Sequence, residues 1–256
     1  MNPIPSLSRR KFLTRISAAG GAILLGGCDQ LSQSPTFRDF LGKAEGATQR
    51  LQRLALSARS LAREYSEADL SANFKPNGSI NVDDDAYKAH VRDAFSNWRL
   101  KIDGLVERPA ELSLADLRRL PSRTQITRHD CVEGWSAIGK WKGAQLAPLL
   151  QSAGLKPEAR YLVLHCADSF GLGAPYYESI DLIDAFHPQT ILAYDMNDAA
   201  LAVRHGAPLR LRVERQLGYK QAKYIMRIEA VSTFAMIGSG RGGFWEDRGY
   251  EWYAGI

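Results

Sequence analysis

The chain has 256 residues, 45% hydrophobic and 24% charged, the balance of a soluble globular protein with one substantial domain or two small ones. That composition excludes disordered and collagen-like classes, and no apolar run is long enough to span a bilayer as a helix. The net charge of +5 suggests an acidic partner, but Arg9, Arg10, Lys11 and Arg15 lie in the first 27 residues, which hold no acid. Removing those four charges leaves +1, so no nucleic-acid partner is expected.

Residues 1–27 read as an export signal, with a basic start and then the Ala- and Gly-rich apolar stretch Ile16–Leu25. Ser8-Arg9-Arg10-Lys11-Phe12-Leu13 resembles the twin-arginine signal. Leu25-Gly26-Gly27-Cys28 resembles a bacterial lipobox, which implies cleavage before Cys28 and lipidation of its thiol. Asp29 then resembles an inner-membrane retention signal, so the expected location is periplasmic, anchored to the inner membrane through Cys28. The plainer readings are a chance arginine pair and simple signal cleavage near Gly27. Twin-arginine export carries folded proteins, commonly because a cofactor is inserted first. It points to a cofactor without naming one.

The expected organisation is a tether and amphipathic helix over residues 28–70 and a single larger domain over residues 71–256. Leu51, Leu54, Ala55, Ala58, Leu61, Ala62 and Tyr65 recur at three- and four-residue spacing, predicting a helix from Phe37 to about Glu67. Ser71–Asp85 reads as loop. Trp98–Ile102 and Gln125–Thr127 follow as short strands, with a helix over Leu114–Leu120 begun by Ser113. Ala144–Ala153 is a second short helix stopped by Gly154, Tyr161–Cys166 a strand, and Leu182–Phe186 a brief helix. Ile191–Met196 and Leu201–Val203 form a hairpin across Asn197-Asp198, and Leu209–Val213 and Ala222–Ile228 are two further strands. The fold class is α+β, strand-rich with short helices and long loops behind an N-terminal helix.

With Cys28 lipidated, Cys131 and Cys166 remain. Outside the cytoplasm they invite a disulfide. The spacing of Cys131, His129, Cys166 and His165 is not that of a zinc motif. Arg128 and a protonated His129 would lower the Cys131 pKa and favour metal ligation or nucleophilic attack. The residues alone leave these alternatives open.

Arg128–Gly143, RHDCVEGWSAIGKWKG, resembles the cysteine segment of the sulfite oxidase family of molybdenum enzymes, matching R-x-x-C-V-E-x-W-S at Arg128, Cys131, Val132, Glu133, Trp135 and Ser136. The likeness is greatest to the branch that includes the periplasmic methionine sulfoxide reductase catalytic subunit. HPQTILAY (His187–Tyr194) and HGAPLRLRVERQLGYKQAKYIMRIE (His205–Glu229) are similar to the second cofactor-binding region, and the resemblance spans about residues 72–237. It implies a molybdenum-molybdopterin cofactor with Cys131 as metal ligand, a soft sulfur donor suited to such a metal. It implies phosphate contacts from Arg210 and from Gln221, Ala222 and Lys223, and pterin contacts from His205, Cys166, Asn73 and Asn77. Cys166 is equally readable as a buried, inert thiol. Strand alternation puts Arg210 and Arg212 on one face; Arg212, Arg215 and Arg227 also read as a solvated face.

Arg128, His129, Trp135 and Tyr219 are candidates for substrate contact or tuning, Arg128, His129 and Tyr219 being grouped with Cys131 as catalytic. The aromatic tail GGFWEDRGYEWYAGI packs beside the cleft or serves as an apolar lid. The chain ends early for the family's dimerisation domain, implying a monomer, and lacks a haem-attachment CxxCH, implying that a membrane haem protein or soluble cytochrome exchanges electrons with it. The expected activity is oxygen-atom or two-electron transfer on a small S- or N-oxide or sulfite-like substrate. The alternatives are a non-catalytic lipoprotein on the same fold and a dithiol redox protein using Cys131 and Cys166.

Overall fold

A computed structural model describes residues 34–55, 57, 59–170 and 173–256; the signal segment and Cys28 lie outside the described residues. The chain divides into two compact units, Met1–Leu54 and Ala55–Ile256. In the first, Pro35 opens helix α1 (Pro35–Ala55), as suits a residue with no N–H to donate. The helix stops well short of Glu67. Residues 62–65 are instead extended: the Tyr65 N–H donates to Ile126 O at 2.9 Å, and Glu64 bridges antiparallel to Thr127. The helical spacing of Leu61, Ala62 and Tyr65 is overridden by this tertiary pairing.

The second unit is α+β and strand-rich. One sheet has the order β2 (Ala110–Leu112), β1 (Leu100–Gly104), β10 (Ile225–Val231), β5 (Tyr161–Cys166), β6 (Tyr177–Asp181). Only β1 and β10 in it are parallel. The other has the order β3 (Ser122–Cys131), β4 (Trp135–Gln145), β7 (Ile191–Met196), β8 (Ala199–Ala200), with β9 (Arg210–Arg212) also on β7. Four short helices fill the connections: α2 (Asp85–Arg92), α3 (Leu114–Arg119), α4 (Leu146–Ala153) and α5 (Leu182–Ala185). Their ends follow the sequence. Ser113 Oγ accepts from the Asp116 N–H and the Asp116 carboxylate accepts from the Ser113 N–H, a capping box for α3. Gly154, at φ 71°, ends α4 in the left-handed conformation.

The largest buried cluster joins apolar faces of both sheets, among them Leu100, Ile102, Leu162, Leu164, Leu192, Leu211 and Ile228. β4 has no expected counterpart in the sequence reading, because Gly139, Gly143 and the polar Ser136, Lys140, Lys142 and Gln145 break up its apolar pattern. The glycines are there for close approach. A Cβ on Gly143 would lie 2.2 Å from Leu192 O, and one on Gly139 would meet the Phe74 ring at 3.1 Å. The hairpin across Asn197 and Asp198 forms with both residues at positive φ (50° and 62°), but its return strand is only Ala199–Ala200. Leu201 onward turns into a 3₁₀ segment, Val203–His205.

The C-terminal tail is fixed to this body by a buried ionic cluster. Lys220 donates to Glu178 and, at 2.6 Å, to Glu246, and all three side chains are buried. Burial and the neighbouring Glu246 carboxylate push the Glu178 carboxyl well above the usual range. Lys220→Met would strand two facing carboxyls without their cation. It is expected to cost about 3–5 kcal/mol, measurable as a lowered urea midpoint with unchanged slope.

Candidate cofactor and active-site cleft

Cys131 is the last residue of β3, where Val132-Glu133-Gly134 turns the chain into β4. Gly134 at φ 83° gives the three-residue turn its left-handed end, and its N–H donates to Cys131 O at 3.0 Å. Alternation along β3 points Gln125, Thr127 and His129 inward and leaves Cys131 partly buried at the edge of that face. The two neighbours expected to acidify it do not. Arg128 is on the opposite, exposed face, 2.9 Å from the Asp130 carboxylate, and lines a separate hollow with Arg63 and Tyr65. His129 is fully buried, and burial together with Arg212 and Arg210 drives its pKa well below the usual range, so the ring is neutral. Burial and the Glu133 carboxylate raise the Cys131 thiol, with the Glu133 and Val132 amides and Lys75 only opposing them. An isolated thiolate is not favoured here. A bound metal would deprotonate it.

Facing inward from β9 and the segment after it is a group of buried cations. Arg212 is neutralised by Glu214, with Nε to Oε1 at 2.9 Å and a second bond at 2.5 Å, and it stacks on Trp141. This buried pair replaces the solvated role read for Arg212; Arg215 and Arg227 are likewise paired, to Asp184 and to Asp103 and Glu229. Arg210 differs. It donates to His205 O at 3.0 Å and to Asn77 Oδ1 at 3.3 Å, its Nε has no partner, and no carboxylate bonds it among the described residues. Lys223 donates only to carbonyls, Asn77 O at 2.8 Å, Ser79 O at 2.5 Å and Arg204 O at 2.9 Å. Burial and then the Arg212 charge lower Arg210 to about 9, and burial and then the Arg210 charge lower Lys223 to about 7. Burial and Arg210 take His205 down to about 4.

Two buried cations with no hydrogen-bonded anion among the described residues, and unpartnered polar atoms at Arg210 Nε, His129 Nε2 and His205 Nδ1, make a site that an anion would complete, the Asp168 carboxyl acting on Lys223 only at longer range. A phosphate would supply the missing acceptors. Gly206 keeps the cations close, since a Cβ there would lie 2.9 Å from the Lys223 side chain and 3.3 Å from Arg210.

Asn77, Gln221, Lys223 and Tyr219 line one cleft of about 300 Å³, together with Val132 and Glu133 from the Cys131 turn. His205 and Arg210 stand buried behind Lys223. Ala222 contributes backbone, its carbonyl accepting the Leu211 N–H at 2.8 Å and fixing β9 against the lining segment. The Tyr219 hydroxyl donates to Glu251 O at 2.6 Å, tying the lining to the tail. Of the expected residues, Cys131 itself, His129, Arg128, Asn73, Cys166, His205, Arg210 and Ala222 are outside the lining, Cys131 adjoining it through Val132 and Glu133. Asn73 is exposed while its neighbour Phe74 packs inward against Trp141 and His205. Arg128 faces away. Cys166 is in the core, paired in register with Ile225, its thiol raised by burial. Both cysteines are free thiols.

The sequence reading missed Asp168, Phe170 and Tyr176 on the cleft wall. Asp168 follows Cys166 at the two-residue spacing that shares a strand face, the one signal that could have found it. Burial raises its carboxyl to about 6, and Oδ1 has no hydrogen-bond partner. Trp245 and Tyr250 come from the aromatic tail, which does pack beside the cleft.

The family model for the oxidoreductase molybdopterin-binding domain matches residues 87–235. Three curated relatives carry names from methionine sulfoxide reduction. A protein of Azospira oryzae, provisionally named protein-methionine-sulfoxide reductase subunit YedZ1, is 36% identical over 97% of this chain and 88% of its own. The protein-methionine-sulfoxide reductase catalytic subunit MsrP of Gluconobacter oxydans is 31% identical over 88% of this chain and 72% of its own. That of Campylobacter jejuni is 29% identical over 75% and 72%. The anion-deficient cradle and the cysteine turn fit the cofactor that the family model names. This chain belongs to the molybdopterin-binding oxidoreductases of the sulfite oxidase family, and it is an enzyme of the molybdenum-molybdopterin cofactor.

Proposed function

We propose that this chain is the catalytic subunit of a periplasmic reductase that removes the oxygen from sulfoxides, methionine sulfoxide first among them. The observation that carries the reading is the pairing, in one cleft, of the Cys131 turn with a buried cation cradle to which no carboxylate is hydrogen-bonded among the described residues. The names of the three relatives favour a sulfoxide over sulfite and N-oxides. In the overall change, one sulfoxide takes up two protons and two electrons and yields one thioether and one water. The electrons come from a membrane haem protein or a soluble cytochrome, and the export signal with a lipid on Cys28 holds the enzyme at the inner membrane.

When bound, the cofactor supplies the two-electron, oxygen-atom chemistry. The chain's own residues bind, orient and shield. Cys131 Sγ would be the ligand that holds the metal. Arg210 and Lys223, with Gln221 and Asn77 beside them, would hold the phosphate end, and His205 would offer its unpartnered ring nitrogen to the pterin. Neutral His129, with an Arg212 nitrogen 3.1 Å from its Nδ1, steadies the strand behind Cys131. Asp168, near pH 6, is the acid on the cleft wall able to hold a proton at its carboxyl.

The deciding experiment follows dye oxidation by the twin-arginine-exported, molybdenum-loaded protein. Two equivalents of reduced benzyl viologen are expected to be consumed per methionine sulfoxide converted to methionine. Oxidation of sulfite to sulfate with no sulfoxide turnover would overturn the reading.

A further inference from the structure

The family model ends at residue 235, yet the cleft does not. Trp245 and Tyr250 reach its wall from the tail. Their rings stack at 5.4 Å and 29°, and the array continues edge-on from Tyr250 to Tyr219 at 5.2 Å and from Trp245 to Phe170 at 5.4 Å. The tail is held in place as firmly as a core element. The Phe244 N–H donates to Tyr177 O at 2.9 Å, Glu246 is locked to Lys220, and the Tyr250 N–H closes back on Trp245 O at 3.0 Å. This wall is therefore a built surface.

The cleft has two chemically distinct sides. Asn77, Asp168, Gln221 and Lys223 are buried and polar, the side that suits the cofactor. The aromatic side runs outward to Tyr250, 41% exposed, and the Cys131 turn runs outward to Val132, 43% exposed, so these two mark the mouth. A substrate that approaches the Cys131 turn from solvent passes between them. Aromatic faces and edges favour alkyl or aryl groups.

Resting on the sulfoxide reading above, we infer that Trp245 and Tyr250 are the specificity-determining wall of this enzyme, receiving the hydrocarbon arms of the sulfoxide while its oxygen faces the Cys131 turn. The tail outside the family model thereby selects sulfoxides with bulky apolar arms over small ones.

The test uses the exported, loaded, full-length protein and compares dimethyl sulfoxide with methyl phenyl sulfoxide. Trp245→Ala and Tyr250→Ala are each expected to raise KM for the aryl sulfoxide about tenfold. They should leave kcat and the dimethyl sulfoxide KM within about twofold, and Trp245→Phe should restore most of the loss. Molybdenum and pterin content should equal the wild type's. Loss of molybdenum or pterin from the alanine variants would make the wall a cofactor contact and overturn the inference, as would an equal change for both sulfoxides. A second readout needs no turnover: methyl phenyl sulfoxide should quench the tryptophan emission of oxidised wild type more than that of Trp245→Phe. No difference overturns the inference. A quench without reduction of either sulfoxide would sink the proposed activity and leave the binding wall standing.

Discussion

Cys131→Ser is expected to leave a folded protein without molybdenum and to lower sulfoxide reduction at least about a thousandfold, a barrier increase of roughly 4 kcal/mol. The cause lies in the thiol. Burial and Glu133 raise its pKa, so the metal-free site holds a neutral SH. A metal must displace that proton, and sulfur permits this because its thiolate is a soft, strongly bound donor. A serine hydroxyl ionises far less readily and gives a harder ligand, so the variant loses the bond. The fold should survive, because Cys131 ends a hairpin whose turn is fixed by Gly134 and whose strands pair over ten residue positions, Ser122 to Cys131. The measurements are metal content, thermal midpoint and viologen-linked turnover. Full molybdenum in Cys131→Ser would remove Cys131 from the metal. Alkylation gives an independent check, with the metal-free wild type reacting slowly at pH 7 and faster as pH rises towards the raised thiol value.

Much of the scaffold around that cysteine is legible in the sequence. Tyr161–Cys166 and Ile191–Met196 are strands at the expected boundaries, and Ser113 and Gly154 end their helices as their chemistry dictates. β4 is not legible, because its inward positions include glycines placed for contact with Leu192 and Phe74, and contacts across chain distance leave no local periodicity. The same limit applies to the site. Arg128 and His129 adjoin Cys131 in sequence and so read as its electrostatic partners, but strand alternation turns one outward and burial neutralises the other. Cys166 shares the likeness at a distance and is buried in the core, off the cleft lining. Asp168 is signalled only by its two-residue spacing from Cys166, and Phe170 and Tyr176 leave no trace in the sequence, because a cleft is assembled from segments whose only common property is the fold.

Lys223→Met and Arg210→Met are each expected to cut cofactor affinity by about two to three powers of ten, as removal of one buried charge partner does. The reason is the charge of the cradle. Lys223 and Arg210 are buried against carbonyls and each other, and an anionic phosphate is what would balance them. Lys223 carries a separate signature in the cofactor-free protein. Its folded-state value, about 7, lies below the unfolded lysine value near 10.4. Between those values the unfolded chain binds more protons than the folded one, so the stability of the cofactor-free protein rises with pH across that window. A bound phosphate reverses the cause. The ammonium then gains a partner, its proton is held more tightly, and the rise disappears. Thermal midpoints from pH 7 to 10 for cofactor-free and loaded wild type, with Lys223→Met as the reference for every other titrating group, therefore read the cradle directly. The wild-type excess over Lys223→Met should grow with pH only in the cofactor-free protein. An equal slope in loaded and cofactor-free forms would mean that the phosphate does not meet Lys223, whatever the activity of the enzyme.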